Sequence, residues 1–553
     1  MTAVVAPAAA EPRRPARRAG VLDWLVTTDH KHIGILYMAT TLGFFLVAGA
    51  IALVMRAQLA QPGLHIVERQ AYNQLFTLHG TAMIFLVIAP FALGLANYLL
   101  PLHIGAADLA FPRMNALTYW LLLAGGLTIF SGLLLSTGAA AAGWTMYAPL
   151  SDFENTPGPG VDLWIMGVLM ISASSIMTAI NFLTTVMLFR APGMTMMRLP
   201  VFVWNIIVTS LIILMAFPPL AVAMAELFID RRLGGHFFDA SHGGSAILYQ
   251  HVFWFFGHPE VYVMILPYFG VVTQVVSTFS RRPVFGYLGM VLASFAIAGL
   301  SMGVWAHHMF TTGAVNNPFF SIMSFLIAVP TGIKYFNWIG TMWQGALVFP
   351  TAMLFAIGFM LNFLLGGVTG VMVASPPLDY HVEDTYFLVT HFHYTLAGGS
   401  MFALLAALYF WFPKITGRLL SERLGMLSFW LTFVGYNITF IPLFLVGLLG
   451  MPRRVVTYLP LPGWPELNLT STAGAGVLAL GIALTMWNLV VSWSRGAPAG
   501  DDPWGGGTLE WATSSPPPER NFHALPPIRS DRPAFDMRMP QGTPGGQARA
   551  RAG

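Results

Sequence analysis

Twelve separate stretches of the chain are each largely apolar for about 20 residues, the length that crosses a bilayer. They cover residues 33–55, 74–101, 117–138, 162–189, 201–228, 246–275, 285–305, 320–338, 342–368, 385–412, 426–449 and 471–494. In lipid the backbone N–H and C=O groups must bond within the segment, so such stretches form helices. The fold class is therefore an all-α polytopic membrane protein, with twelve transmembrane helices in a domain spanning 23–495. Only 9% of the residues are charged, against about 25% in an ordinary soluble domain.

The flanks differ from this domain. Residues 1–22 are rich in Ala, Pro and Arg and lack the apolar core and cleavage site of a signal peptide, so they read as a disordered basic leader. Residues 496–553 are rich in Pro, Gly and Arg and read as a polar tail lying loosely on the same side. The leader precedes the first span, and basic residues such as Arg113, Arg190, Arg281, Arg282 and Lys414 fall in loops on its side. The positive-inside rule then puts both termini in the cytoplasm.

The chain has no cysteine, which excludes thiolate zinc sites and iron–sulfur clusters. Any metal must be held by His, Met or oxygen. His79, His258, His307, His308, His391 and His393 all fall in the outer third of the predicted spans. One intramembrane histidine is as often an interhelical hydrogen-bonding group as a ligand. Six at one depth on four helices point instead to metals, and imidazole suits copper and iron. His391 and His393 are two positions apart and so point roughly 200° apart around a helix. They cannot serve one metal but can serve two. His258 and Tyr262 are four apart and share a face, with Glu260 directed elsewhere.

The runs Trp254-Phe-Phe-Gly-His258-Pro-Glu260-Val-Tyr262, His307-His308 and His391-Phe-His393-Tyr394 resemble subunit I of the haem–copper oxygen reductases. The likeness is greatest to the A-type cytochrome c oxidases and extends from Thr28 to Arg454. It implies that His79 and His393 are axial ligands of a low-spin haem A. It implies that His391 is the proximal ligand of a high-spin haem A, of the a3 type. His258, His307 and His308 would bind the facing copper (CuB), and Tyr262 looks like the tyrosine cross-linked to His258.

The resemblance also supplies two proton routes. Asp108, Asn97 and Asn115 look like the start of the family's D-pathway, Ser174, Ser175 and Asn181 like its middle, and Glu260 like its end. Lys334 and Thr331 look like the K-pathway that leads to Tyr262. Lys334 could otherwise snorkel to the membrane surface. Arg453 and Arg454 match a pair that binds haem propionates, with Trp144 and Asp384 in support. Arg56 lies where relatives contact the formyl group of haem A. Where many relatives have His-Asp this chain has Glu383-Asp384, so a magnesium ion there is allowed but weakly implied.

These parallels imply a terminal respiratory oxidase. It would reduce O2 to water with electrons from cytochrome c and pump protons across a bacterial cytoplasmic (inner) membrane. The implied partners are subunit II with its dinuclear copper centre, subunit III and membrane lipid, and no nucleic acid. A quinol oxidase is the alternative. Quinol-oxidising relatives carry an Arg/Asp pair on the first span and a His on the second, which Phe45–Ile51 and Ala71–Gln74 lack. Nitric oxide reductases lack the Tyr262 and Lys334 features. A membrane protein without haem, such as a transporter, is the bland reading.

Overall fold

A computed structural model describes residues 20–539. Most of the expected basic leader, and 540–553 of the tail, lie outside the described residues. Twelve helices are long and apolar enough to cross a membrane. They are α1 (His30–Gln58), α2 (Arg69–Ile104), α3 (Pro112–Leu134), α4 (Gly160–Leu188), α5 (Val201–Arg232) and α6 (Ala246–Ser280). The others are α7 (Tyr287–Thr312), α8 (Asn317–Met342), α9 (Thr351–Val373), α10 (Tyr386–Thr416), α11 (Glu422–Leu448) and α12 (Trp464–Arg495). Among the described residues there is no β-strand.

The helices divide by burial. The most apolar windows of α2, α10 and α6 are 94%, 83% and 78% buried, against 17% for α1. The outer helices turn Leu46, Leu188, Phe336, Trp487 and Val490 outward, as a lipid-facing rim requires. The three inner helices carry His79, His391, His393 and His258. The ligand candidates thus sit on the elements least exposed to the surroundings.

Two boundaries depart from hydropathy. The ninth run was expected from residue 342, but α9 starts at Thr351. Residues 343–350 are an unwound connection. Gln344 there has φ 55 and Val348 N–H donates to Phe279 O at 2.9 Å, so this apolar stretch folds back on the end of α6 instead of continuing a helix. The seventh run is read from hydropathy as 285–305. Its α-helical part instead stops at Ser301 and a 3₁₀ turn, Trp305–Thr312, follows. Two π-helical segments, Met83–Ile88 and His393–Met401, interrupt α2 and α10 close to their histidines. Such widened turns recur at functional positions.

The tail is not loose where it is described. Glu510 is fully buried and accepts hydrogen bonds from Gln274 Nε2 (2.7 Å), Thr508 Oγ1 (2.8 Å) and Trp411 Nε1 (3.3 Å). His103 Nε2 lies 3.2 Å from the same carboxylate. Asn521, also fully buried, donates to Ala106 O at 2.8 Å and bonds His30 and Lys31 at the start of α1. Lys414 Nζ donates to Thr513 O at 2.7 Å. Both described ends therefore meet on one face of the bundle, which we call the tail face. A composition rich in Pro and Gly suggested looseness, but a few buried polar anchors override it. Replacing Glu510 with Ala leaves buried donors without their acceptor, which costs about 1–3 kcal/mol for each unsatisfied group. The expected result is release of the tail, read as rapid protease cleavage between 496 and 539. Unchanged protection would refute this role.

Candidate metal and haem centre

Three imidazoles converge inside the bundle. His258 comes from α6, twelve residues from its first residue, and His307 and His308 come from the 3₁₀ turn that ends α7. His307 Nε2 lies 3.1 Å from His308 Nε2, and His258 Nδ1 lies 3.3 Å from the same atom. Nitrogens each about 2.0–2.1 Å from one ion sit roughly 3.3–3.6 Å apart. The observed spacing is close to that of three ligands on one ion. Neighbouring residues on a regular helix diverge by about 100°. The irregular turn, with Met309 at φ −136, lets His307 and His308 face one point.

The protonation pattern of the cluster is built in. Ser324 Oγ spends its proton on Phe320 O (2.6 Å), so it accepts from His307 Nδ1 (2.7 Å) and leaves His307 Nε2 free as a ligand atom. Trp254 stacks on His308 at 3.9 Å between ring centroids. His258 turns Nδ1 to the cluster, while its buried Nε2 has no hydrogen-bond partner. The ring of Tyr262 stands 4.8 Å from that of His258, as their four-residue spacing requires.

A second arrangement involves His79 and His393. Their rings are nearly parallel, 13° apart, with centroids 6.4 Å apart. Two imidazoles bound about 2 Å to either side of an ion have centroids roughly 6 Å apart. His79 Nδ1–H donates to Ala48 O at 3.0 Å and His393 Nδ1–H to Val389 O at 2.7 Å. A carbonyl can only accept, so both rings keep Nε2 unprotonated. His391 follows the same rule, with Nδ1–H donating to Gly366 O at 3.1 Å. It faces α9, whereas His393 lies against Phe440 of α11 with centroids 4.6 Å apart. The opposed directions predicted from their spacing are observed. Gly366 and Gly370 let α9 approach: a Cβ on Gly370 would stand 3.0 Å from His391 Cε1.

The chain as a whole has known relatives. Residues 32–477 match the family described as cytochrome c and quinol oxidase polypeptide I. The chain belongs to that family. It is 54% identical to the probable cytochrome c oxidase subunit 1-beta of Nocardia farcinica, over 98% of this chain and 92% of that one. It is 54% identical to cytochrome c oxidase subunit 1 of Corynebacterium efficiens, over 97% and 93%. A solved haem–copper terminal oxidase dimer shares the fold, with TM-score 0.72, 18% identity and 84% coverage of each chain.

The remaining residues named for this family's functions fall into four groups. Arg56 Nη2 donates to Asn468 O (3.1 Å), Asn468 Oδ1 (3.0 Å) and Thr472 Oγ1 (3.2 Å). Its Nε and Nη1 are buried with no protein partner, a donor pair that fits an oxygen of a bound group. Trp144 packs against Gly80, next to His79, and makes an edge contact with Trp254 at 5.8 Å. On the face opposite the tail, Arg453 Nε donates to Asp384 Oδ1 at 2.5 Å and an Arg453 nitrogen lies 3.8 Å from Glu383. Arg454 lies over Phe76, 5.8 Å from its ring centroid.

Burial raises the Asp379 carboxyl to about 8, with Glu383 adding to the effect, and raises Glu383 to about 7. Asp384 is tied to Arg453 instead, so the two residues of the expected magnesium pair have different surroundings.

The residues expected to form the first proton route run from the tail face inward. Asp108 sits in the loop between α2 and α3, its Oδ1 accepting from Leu109 N–H at 2.7 Å, and burial raises its pKa to about 6. Asn181 holds the peptide of Phe111 at 3.0 and 3.2 Å, pinning this loop on α4. Ser174 Oγ donates to Thr118 O at 2.7 Å and lies 3.2 Å from Tyr37 OH, while Ser175 is buried nearby on α4. Asn97 Oδ1, both side-chain polar atoms of Asn115, and Glu260 Oε2 are buried without a protein partner. Such atoms call for ordered water.

Lys334 does not snorkel. It is fully buried, and its Nζ donates to Ser294 Oγ (2.7 Å) and Met290 O (3.0 Å) on α7. Thr331, one turn earlier, donates weakly to Ile327 O at 3.4 Å.

Sequence reasoning missed Ser324, Ala48, Val389 and Gly366 as partners of the histidines. Three of them act through backbone carbonyls, which carry no side-chain signal. Ser324→Ala should leave the His307 tautomer unfixed and weaken metal retention about 10–100-fold. Copper per haem in the purified variant measures this. Full copper content after dialysis would refute it.

Proposed function

We propose that this chain is the catalytic subunit of a terminal respiratory oxidase that takes electrons from cytochrome c, reduces O2 to water and pumps protons. The carrying observation is the pair of histidine arrangements: three convergent imidazoles, and two parallel ones separated by the width of an ion. We assign His79 and His393 to a low-spin haem A, His391 to a high-spin haem A, and His258, His307 and His308 to copper. When bound, these groups supply the one-electron redox chemistry and the oxygen site. The orphaned Arg56 nitrogens fit the formyl oxygen of haem A, and Arg453 and Arg454 fit its anionic propionates.

The protein's own part is geometry and protons. Carbonyls of Ala48, Val389 and Gly366, with Ser324 Oγ, hold four rings in the ligating tautomer. Tyr262 brings a phenol hydrogen next to His258, whose free Nε2 fits the family's covalent bond between the two. Asp108 titrates near neutrality and takes up protons at the tail face. The unpaired Asn97 Oδ1 and the unpaired amide of Asn115, with Ser174, Ser175 and Asn181, support a water chain from there. Glu260 is 1% exposed with its Oε2 unpaired, and we assign it as the proton-carrying group at the inner end of that chain. Lys334 and Thr331 form a second route toward Tyr262.

As a subunit I, the chain works in a complex with other subunits of a multi-pass membrane assembly. We assign subunit II with a dinuclear copper centre and subunit III as its partners, in a bacterial inner membrane with both termini cytoplasmic. Cytochrome c is preferred over quinol because the quinol-specific residues are lacking on α1 and α2. Glu383 and Asp384, beside Arg453, are the residues we assign to a magnesium ion.

Glu260→Gln keeps the shape but cannot release a proton, so oxygen consumption should fall to a small residue of the parent rate. Near-normal turnover with intact haem spectra would overturn the proton assignment. Pyridine haemochrome and metal analysis of the purified complex test the cofactors. Two haems A and one copper in this subunit are expected, with any magnesium lost in Glu383→Ala. Haem B with haem O would overturn the haem A reading.

A further inference from the structure

The connection between α5 and α6 lies on the face opposite the tail and carries His236, Asp239 and His242 at three-residue intervals. One ligand atom from each lies within 4.8 Å of the others. We propose that this triad is a second, surface metal site that takes a divalent cation of the zinc class. It is separate from the histidines within the bundle and independent of any haem.

The argument rests on how the loop spends its polar groups. Asp239 Oδ1 is committed to the loop, accepting from Ser241 N–H (2.9 Å) and Ser241 Oγ (2.6 Å). Its Oδ2 is turned to the imidazoles, 2.5 Å from His242 Nδ1 and 3.4 Å from His236 Nδ1. Ser241 Oγ also lies 3.0 Å from His242 Nδ1. The two rings stack at 4.2 Å between centroids, 22° apart.

One protonated imidazole on a carboxylate explains one of these contacts. It does not explain the second ring. Two imidazolium rings at this separation repel, and two exposed neutral rings gain little from stacking while losing side-chain entropy. A cation shared by both Nδ1 atoms and Oδ2 satisfies all three groups. Two nitrogens and one carboxylate oxygen suit zinc, and the exposed position leaves room for water as a further ligand.

The loop is preformed. Asp230 accepts from Phe237 N–H (2.9 Å) and Phe238 N–H (2.8 Å). Gly244 N–H donates to Asp239 O at 2.8 Å and Ser245 N–H to Phe237 O at 2.9 Å, closing the turn. Gly243 adopts φ 88, which favours glycine. Phe238 is 3% exposed and packs edge-on against Tyr249, 5.1 Å away, on the helix that carries His258. A bound ion would therefore fasten this loop to the outer end of α6.

The test uses the intact oxidase complex, as purified and as His236→Gln and His242→Gln. Each is equilibrated with zinc chloride and washed, and zinc is counted per haem by elemental mass spectrometry. The parent should hold one zinc more than either variant, and the variants' affinity for that ion should fall about tenfold or more. X-ray absorption at the zinc edge should add two imidazole nitrogens in the parent alone. The haem spectrum and zinc-free oxygen consumption of the variants should match the parent, which separates this site from the bundle centre. Equal zinc content in parent and variants would overturn the proposal. So would zinc bound without imidazole ligands.

Discussion

The interaction on which the rest depends is the hydrogen bond from a histidine Nδ1–H to a backbone carbonyl inside an apolar bundle. A buried imidazole is stable only if its N–H is satisfied. Satisfying Nδ1 with Ala48, Val389 or Gly366 leaves Nε2 as a lone pair directed into the protein. That arrangement makes a polar ring compatible with lipid depth and makes it a ligand at the same time. For His79 and His391 the carbonyl comes from a neighbouring helix, α1 or α9, whereas for His393 it comes from one turn earlier on α10 itself.

The same economy runs through the rest of the molecule. Ser324 relays its own donor to Phe320 and its acceptor to His307, so a single hydroxyl fixes one ligand without leaving an unmet group. Lys334 is held by Ser294, which in turn donates to Asn205. Glu510 collects four donors from the tail face. The economy is incomplete at several buried atoms, among them those of Arg56, Asn97, Asn115 and Glu260, to which we assign roles toward haem and protons.

Much of this was legible beforehand because membrane helices obey simple rules. A run of apolar residues must be helical, and a period near 3.6 fixes which residues share a face. The divergence of His391 and His393, and the meeting of His258 and Tyr262, followed from spacing. The ends of the helices were less legible. Hydropathy could not separate a helix from the connection 343–350, because both are apolar and only the backbone turn at Gln344 tells them apart. Composition misled for residues 496–539, where Pro and Gly imply looseness but Glu510 and Asn521 bind the segment down.

The sequence by itself determined the class of the molecule, the number of spans and the six histidines at a common depth. These depend on local quantities, apolar length and residue identity, that survive without knowledge of neighbours. Only the tertiary structure decided how the histidines divide in space and which nitrogen of each is free. It also decided that His307 and His308 meet through an irregular turn, and that two exposed histidines of one loop face a single carboxylate oxygen. Those properties belong to distances between segments far apart in the chain or to departures from regular helix. No periodicity encodes either.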